Sequence, residues 1–302
     1  MAAEISPSRE ASQLHFLYRQ LFVTPKLVSP EIHNLNGQTG IVTGANVGLG
    51  LECCRELLNL GLTHLVLAVW DENKGNAARE QLLKEAPKAN IEVWKLDMSS
   101  YDSVVAFAER CKGLSRLDFA ILNAGNFMTQ LEINKKTQHD EVLQVNYLST
   151  ALLTILLLPI LQAKKPSPGS GRLVIVGSET AAWCKFNEQN HNPILPAFND
   201  SQLYEAEERY YTSKLLQELL LVQLVNRVPS SVAVIDIVNP GLCYGSNLLH
   251  ETFGSIRATI TSLVKRIIGR SCTVGARTLT DASLNHGAEA HGRYLGDCTL
   301  KP

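Results

Sequence analysis

A tyrosine and a lysine four residues apart are the first side chains of this sequence that suggest proton chemistry. In a helix, Tyr210 and Lys214 would lie on one face and reach the same small volume. A phenol with an ordinary pKa of about 10 is a poor acid at neutral pH, and a nearby ammonium group lowers that pKa. The spacing predicts a proton donor, although Tyr-x-x-x-Lys alone is a weak signal because many helices contain it by chance.

A glycine-rich turn far upstream strengthens this interpretation. Residues 43–50 read Thr-Gly-Ala-Asn-Val-Gly-Leu-Gly and lie between a short apolar run and a segment with helical periodicity. A strand, a glycine turn and a helix N-terminus form a site for a pyrophosphate, because the glycines let the backbone approach and free N–H groups face the anion. The spacing differs from the Gly-x-Gly-x-x-Gly fingerprint, and an ordinary strand-to-helix turn is the alternative.

Further motifs follow the glycine turn in a fixed order: Asn123-Ala124-Gly125, Asn146, Ser178, Tyr210 with Lys214, and Asn239-Pro240-Gly241. Over roughly residues 37–300, the chain resembles the short-chain dehydrogenase/reductase superfamily, classical type. The residues between the motifs are similar to the retinol-dehydrogenase-like branch and to fungal reductases of natural-product pathways. The resemblance implies an α/β fold, a Rossmann-type doubly wound parallel sheet of about seven strands in a single domain.

Bulk properties limit the classes of function. A chain of 302 residues can bury one large core, and a net charge of −1 with mixed signs argues against a nucleic-acid partner. Seven cysteines without paired ligand spacing argue against a metal site. The odd cysteine count and the absence of a signal peptide predict a reducing, cytoplasmic location.

The chain divides into an N-terminal extension, residues 1–36, and a Rossmann-fold dehydrogenase/reductase domain, residues 37–302. Alternating strand-like and helix-like segments predict seven strands: Thr39–Thr43, His64–Val69, Ile91–Lys95, Phe119–Asn123, Arg172–Val176, Val232–Val238 and Gly292–Leu295. The motifs named above fall at the carboxyl ends of these strands, where a doubly wound sheet binds its ligand.

Two apolar segments are long enough to be considered as possible contacts with a membrane. Ala151–Leu161 is too short to span a bilayer and predicts a buried helix packed on the sheet. The amphipathic segment Leu14–Phe22 has two interpretations: peripheral contact with a membrane surface, or the preferred one, packing on its own domain or on a partner subunit. The resemblance also implies a homodimer or a tetramer formed through the helices that carry Asn146 and Tyr210. The N-terminal extension could block or add to such contacts, so a monomer is the alternative.

The resemblance assigns catalysis to four residues: Asn146, Ser178, Tyr210 and Lys214. When hydride reaches a carbonyl carbon, its oxygen gains negative charge, and donors aimed at that oxygen stabilise the transition state. Tyr210 would deliver the proton, Ser178 would donate a hydrogen bond, and Lys214 would hold the nicotinamide ribose and lower the Tyr210 pKa. Asn146 would hold a water that links Lys214 to solvent. Alternatively, Ser178 is only an end-of-strand hydroxyl, Asn146 only packs within its helix, or Tyr211 is the donor.

The resemblance places the dinucleotide on Gly44, Asn46, Val47, Gly48, Leu49, Gly50, Trp70, Lys74, Asp97, Met98, Asn123, Ala124, Gly125, Tyr210, Lys214, Pro240, Gly241 and Cys243. Asp97 would accept from the adenine amino group, or cap the helix that follows it. The family often has Thr four residues after the glycine of Pro240-Gly241, and here that place is Gly245, followed by Ser246.

The end of the second strand favours NADP(H) over NAD(H). Val69 and Trp70 occupy the places of the acid typical of NAD enzymes and the arginine typical of NADP enzymes, so the chain departs from both patterns. Asp71 lies one position beyond the arginine site. Asn46 and Lys74 are close enough in sequence to hold a 2′-phosphate, and Trp70 is placed to stack on adenine.

The substrate is predicted to be a bulky hydrophobic ketone, aldehyde or alcohol, with reduction the favoured direction. An aromatic and proline-rich loop, 179–209, separates Ser178 from Tyr210 and would form one pocket wall, unless its aromatic residues pack inward. Residues 245–270 would form a lid, with Phe253, Ile256, Ile260 and Leu263 at near-helical spacing. The alternatives are a non-redox dehydration or isomerisation and a nucleotide-binding scaffold, and the complete set of four catalytic residues argues against both.

Overall fold

Helices and strands alternate along the computed structural model, which describes residues 6–165, 169–246, 248 and 266–302. The helices are α1 (Pro7–Glu10), α2 (Gln13–Phe22), α3 (Gly48–Asn59), α4 (Glu72–Glu85), α5 (Tyr101–Cys111), α6 (Glu141–Leu143), α7 (Thr150–Lys164), α8 (Ile194–Ala197), α9 (Ala206–Val225) and α10 (Cys272–Leu284). The strands are β1 (Thr39–Thr43), β2 (His64–Val69), β3 (Asn90–Lys95), β4 (Phe119–Leu122), β5 (Gly171–Val176), β6 (Ala233–Asn239), β7 (Cys243–Tyr244), β8 (Arg270–Ser271), β9 (Tyr294–Gly296) and β10 (Thr299–Leu300).

Eight of these strands form one sheet in the order β10-β9-β6-β5-β4-β1-β2-β3. All of its pairs are parallel except β9 with β10. The order reverses between β1 and β4, which makes the crevice at their carboxyl ends the expected ligand site. The seven predicted strands are confirmed within two residues at each boundary, and the antiparallel β10 was not predicted.

Near-continuous apolar runs explain why this sheet is covered on both faces. β1, β4 and β5 are buried along their whole length. One core cluster joins the sheet to α5 and α7 through Phe107, Leu153 and Leu157. The other joins it to α3 and α10 through Leu57 and Leu279. The two helical layers hold the strand ends, and with them the site, in a rigid arrangement.

The apolar segment Ala151–Leu161 lies in α7, one of the helices that cover the sheet. Within the described residues, one helical stretch, Glu141–Lys164, is long and apolar enough to span a membrane by length and composition, and 61% of its most apolar window is buried. Leu153, Leu157 and Leu161 belong to the core. A core helix that packs on a sheet accounts for this composition.

The N-terminal extension forms α1 and α2, and α2 packs on its own chain with its polar side inward. Arg19 and Gln20 are buried, whereas Leu14 is 81% exposed and Phe22 is 72% exposed. An amphipathic helix usually packs with its apolar side against the protein, and α2 packs the other way round. The physical reason is a set of buried carboxylates at the sheet edge that attract Arg19.

Candidate active site

The glycine turn after β1 fits the pyrophosphate of a dinucleotide. Gly44 and Gly48 have φ values of +65° and +61°, a region that favours glycine. A Cβ atom on Gly50 would lie 2.4 Å from the carbonyl oxygen of Gly44, so this position leaves no room for a side chain. Val47 is the extended N-cap of α3, and its side chain makes no capping hydrogen bond. The first N–H groups of α3 therefore face an open cradle beside Leu49.

The motif after β4 ties the glycine turn to the neighbouring strand. Asn123 donates from Nδ2 to the carbonyl oxygen of Thr43 at 3.0 Å, and the N–H of Ala124 donates to Thr43 Oγ1 at 2.9 Å. A Cβ atom on Gly125 would lie 3.1 Å from Asn146 Oδ1. Asn123 and Ala124 thus make architectural contacts, and Gly125 leaves space where the cofactor cradle meets the catalytic residues.

The end of β2 carries the acids Asp71 and Glu72 and lies beside the cations Lys74 and Lys95. Asp71 caps α4, accepting from the N–H groups of Asn73 at 3.0 Å and Lys74 at 3.2 Å. Trp70 is 58% exposed, and Lys74 Nζ lies 5.3 Å from the centre of its ring. Lys95 Nζ donates to the carbonyl oxygen of Trp70. Two lysines therefore lie against Trp70, and Asn46 in the glycine turn is half-buried.

Asp97 does not cap the helix that follows it. Ser100 is the N-cap of α5, and its hydroxyl accepts from the N–H of Ser103 at 3.4 Å. Asp97 Oδ1 accepts from the N–H of Ser99 at 3.0 Å, which fixes the carboxylate beside the strand end. The capping alternative is wrong, because the turn Asp97-Met98-Ser99 places Ser100 at the helix start instead.

The four predicted catalytic residues converge at the carboxyl ends of β4 and β5. Lys214 Nζ donates to the carbonyl oxygen of Val176 at 2.8 Å and lies 5.6 Å from the centre of the Tyr210 ring. Ser178 lies two residues after Val176 and is near enough to the Tyr210 hydroxyl to act on its pKa. Thr180 donates to Ser178 Oγ at 3.0 Å through its hydroxyl. Ser178 therefore accepts from Thr180 and keeps its own proton to donate.

Burial shifts the pKa values of Tyr210 and Lys214, the two proton-carrying groups of α9 at this site. It raises the pKa of Tyr210 above its ordinary value, and the Ser178 hydroxyl opposes that shift. Burial also lowers the pKa of Lys214 to about 8. In the protein without cofactor, the direction of the Tyr210 pKa is set by burial and is opposite to the lowering expected from Lys214. The ammonium group faces the Val176 carbonyl and the ring face, so burial dominates the phenol.

Asn146 lies in a π-helical turn, Gln144–Ser149, a distortion that often marks functional sites. Its amide holds the chain at Asn126, accepting from the N–H at 2.8 Å and donating to the carbonyl oxygen at 2.9 Å. It also donates to Ser213 Oγ at 3.1 Å, next to Lys214. Asn146 therefore contacts both the cofactor side and the catalytic helix, which contradicts packing within its own helix alone.

Gln217 is a site residue that the sequence reasoning missed. Its Nε2 donates to the backbone carbonyl of Asn146 at 2.5 Å, and its Oε1 accepts from Lys214 Nζ at 3.4 Å. The glutamine amide thus joins Asn146 to Lys214 directly, and the water that would link Lys214 to solvent stays a prediction. Its position three residues after Lys214, on the same helix face, was the available signal.

The chain after β6 turns sharply across the site. Gly241 has φ of +76°, and its N–H donates to Asn239 Oδ1 at 2.9 Å. Cys243 is buried on β7 after Pro240, and Ser246 Oγ donates to its carbonyl oxygen at 3.5 Å. Most of the predicted lid, 245–270, lies outside the described residues, including Phe253, Ile256, Ile260 and Leu263.

In the insert 179–209, most residues are exposed or half-buried, but Phe198 and the charged residues that hold it are buried. Phe198 is 1% exposed, and the buried Arg209 guanidinium lies 4.7 Å from the centre of its ring. Glu208 Oε1 accepts from the N–H groups of Lys185 and Phe186 at 2.6 and 2.9 Å. For Phe198 the inward alternative holds, because Glu208 and Arg209 hold the loop on the first turn of α9.

An aromatic ring outside this insert faces the catalytic tyrosine. Phe127 lies edge-to-face with Tyr210, with ring centres 6.0 Å apart. It follows the Asn123-Ala124-Gly125 motif by two residues, and nothing in the sequence pattern indicated this contact. The surroundings of the phenol are therefore apolar on this side.

Comparisons with known proteins agree with this geometry. A family profile described as short chain dehydrogenase matches residues 38–188. Short-chain dehydrogenase fogG of Aspergillus ruber is 46% identical over 305 residues, covering 99% of this chain and 87% of the relative. Short chain dehydrogenase virL of Hypocrea virens is 41% identical over 301 residues, with the same shares covered.

The solved structures add a likeness in fold. The Pseudomonas aeruginosa RhlG/NADP active-site complex superposes with a TM-score of 0.64 at 20% identity, covering 89% of this chain and 97% of that chain. The profile, the two fungal relatives and the Rossmann-like sheet point to one conclusion. The chain belongs to the short-chain dehydrogenase/reductase family and is an oxidoreductase of that family.

Proposed function

We propose that the protein is an NADP(H)-dependent reductase that converts a bulky hydrophobic ketone or aldehyde into an alcohol. The observation that carries the proposal is the convergence of a protonated Tyr210, Ser178 and Lys214 beside the glycine cradle. The fungal relatives fogG and virL support a role in secondary metabolite biosynthesis.

The side chains suit reduction of a carbonyl group. A bound nicotinamide dinucleotide would supply the hydride. Tyr210 is a neutral phenol at physiological pH and can give its proton to the carbonyl oxygen, while Ser178 donates a hydrogen bond to the same atom. Lys214 holds its ammonium group below the phenol ring, where its charge favours a developing negative oxygen.

The phosphate-binding end favours NADP(H). Lys74 and Lys95 flank Trp70, so a 2′-phosphate would meet positive charge there. Asp71, the acid that follows the strand end directly, is engaged: its Oδ1 accepts two N–H groups as the cap of α4, and its Oδ2 lies 3.9 Å from Lys74 Nζ. The bound NADP named for the RhlG structure is consistent with this proposal.

The apolar surroundings of the phenol support a hydrophobic substrate. Phe127 contacts Tyr210 directly, and Trp183 lies against Tyr211 with ring centres 6.2 Å apart. A substrate with a large apolar body would bury its surface against such rings.

Replacement of the phenol tests the proposal. We expect Tyr210→Phe to slow NADPH oxidation with a panel of apolar ketones by about 100-fold or more, because the proton donor is lost. Tyr211→Phe is the matched control, since it removes the neighbouring hydroxyl, and its rate should stay close to that of the unmodified protein. Equal rates for Tyr210→Phe and the unmodified protein would contradict the proposal and favour the non-redox or scaffold alternative.

A further inference from the structure

The N-terminal helix α2 reaches the carboxyl edge of the sheet, where the catalytic loops begin. Arg19 lies beyond the ends of β5 and β9, paired with Glu179 and, at 3.1 Å, with Asp297. Glu179 directly follows Ser178 in the chain. The Arg19 guanidinium group is therefore paired with the residue that directly follows Ser178, whose hydroxyl is proposed to bind the substrate oxygen.

The charges around Arg19 form a balanced, buried cluster. Its members are the cations Arg19, Arg270 and Lys301 and the acids Glu10, Glu179 and Asp297. Arg270 also donates to the carbonyl oxygens of Arg19 at 3.0 Å and Val23 at 2.9 Å, across the end of α2. Because buried charges are costly without their partners, this cluster fixes α2 in one position.

Gln20, the next residue of α2, holds the turn after β6. Its Nε2 donates to the carbonyl oxygens of Leu242 at 3.0 Å and Ile268 at 3.2 Å. Its Oε1 accepts from the N–H of Leu242 at 3.1 Å. A Cβ atom on Gly241 would lie 2.3 Å from Gln20 Oε1, so the side chain lies directly against the turn.

We propose that Gln20 is a positioning residue of the active site, and that the Arg19 cluster anchors the helix that carries it. Gln20 sets the backbone of Pro240-Gly241-Leu242, the turn that would face the nicotinamide ring. This inference rests on the proposed function, because that function places a nicotinamide there.

The packing of α2 supports a specific role for its two buried residues. Its side chains Leu14, Tyr18 and Leu21 are exposed, and Phe16 packs edge-to-face on Trp183 with ring centres 5.3 Å apart. The polar contacts of Arg19 and Gln20 go to the loops that follow β5, β6 and β9. The short chain dehydrogenase profile begins at residue 38 and so does not include α2. The match with fogG covers 99% of this chain, so it includes nearly all of the N-terminal extension.

Two ligands that differ by the nicotinamide ring test the proposal. Gln20→Glu keeps the size of the side chain but turns a carboxylate oxygen toward the carbonyls of Leu242 and Ile268. We expect its Kd for NADPH to rise by about tenfold. Its Kd for 2′-phospho-ADP-ribose, which lacks the nicotinamide, should change by less than about twofold. Gln13→Glu is the matched control, because Gln13 is exposed on the same helix.

Three results would overturn the proposal. Equal losses for both ligands would show a general loss of structure, and unchanged NADPH binding would show that the turn does not depend on Gln20. Binding of neither ligand by the unmodified protein would instead remove the proposed function on which this inference rests. If thermal unfolding shows that Gln20→Glu does not fold, Gln20→Met provides the same comparison without an added charge.

Discussion

At the scale of the residue, α9 carries two titratable groups, Tyr210 and Lys214, whose pKa values are shifted in opposite directions by burial. Tyr210 keeps its proton to a higher pH than a free phenol, and Lys214 loses its proton more readily than a free amine. Such divergence is a general feature of acid–base sites. Here it leaves a neutral donor and a cation whose charge depends on pH near the physiological range.

The shifted pKa of Lys214 predicts a pH dependence. Below about 8 the side chain is an ammonium ion, and above it the side chain is a neutral amine that no longer favours negative charge on the substrate oxygen. We therefore expect kcat/KM for NADPH, which reports the free enzyme, to fall as pH rises through about 8. Lys214→Arg, always protonated, should remove this limb at the cost of a lower rate. A flat profile in the unmodified enzyme would contradict this role for Lys214.

The sequence predicted the four catalytic residues because their order and register repeat a family pattern. It did not predict Phe127, because the contact of Phe127 with Tyr210 joins elements that are distant in the chain. Gln217 was missed although its spacing to Lys214 was visible, because its second contact, with Asn146, exists only in the fold. The raised pKa of Tyr210 could not be predicted, since burial is a property of the packed site and the spacing to Lys214 carries no information on it.

At the scale of the element, α3 and α10 share a buried carboxyl group. Glu56 Oε2 accepts from the Thr280 hydroxyl at 2.8 Å. Burial raises the pKa of Glu56 to about 7, and the hydrogen bond from Thr280 opposes the shift. The pair therefore packs best when Glu56 is protonated.

Glu56→Gln should stabilise this helix pair at alkaline pH. A carboxyl group whose pKa is raised by folding contributes fully below its ordinary pKa of about 4.5, and that stability is lost as pH rises through about 7. The amide keeps an acceptor for Thr280 without a charge. We expect its free energy of unfolding to exceed that of the unmodified protein by about 1–3 kcal/mol at pH 8. At about pH 4 the two proteins should have the same free energy of unfolding, and denaturant titrations at both pH values would measure this. Equal stability of the two proteins at pH 8 would contradict a destabilising charge on Glu56.

The N-terminal extension shows what periodicity cannot determine. The pattern of Leu14–Phe22 predicted a helix, and α2 is that helix. The apolar side was expected to face the protein, but Arg19 is drawn inward by acids 160 and 278 residues away in the chain. Those partners exist only once the strands have assembled.

At the scale of the whole molecule, the alternation of apolar runs predicted the parallel sheet and the place of the site. The strand β10 was not predicted, because it has only two residues, too few to show the alternation of apolar and polar side chains. Ile155 on α7 and Leu219 and Val222 on α9 are exposed, on the helices through which the resemblance implies a homodimer. The homodimer, peripheral membrane contact through α2 and the cytoplasmic location stay predictions.

The most direct measurement of the central claim is a titration of the purified protein with NADPH and NADH, followed by the fluorescence of its three tryptophans. We expect NADPH to bind at least about tenfold more tightly. Lys74→Ala should reduce that preference, whereas Lys84→Ala, an exposed lysine on the same helix, should leave it unchanged. Equal or tighter binding of NADH would contradict the assignment of Lys74 and the end of β2 to a 2′-phosphate, and binding of neither would contradict the reductase itself.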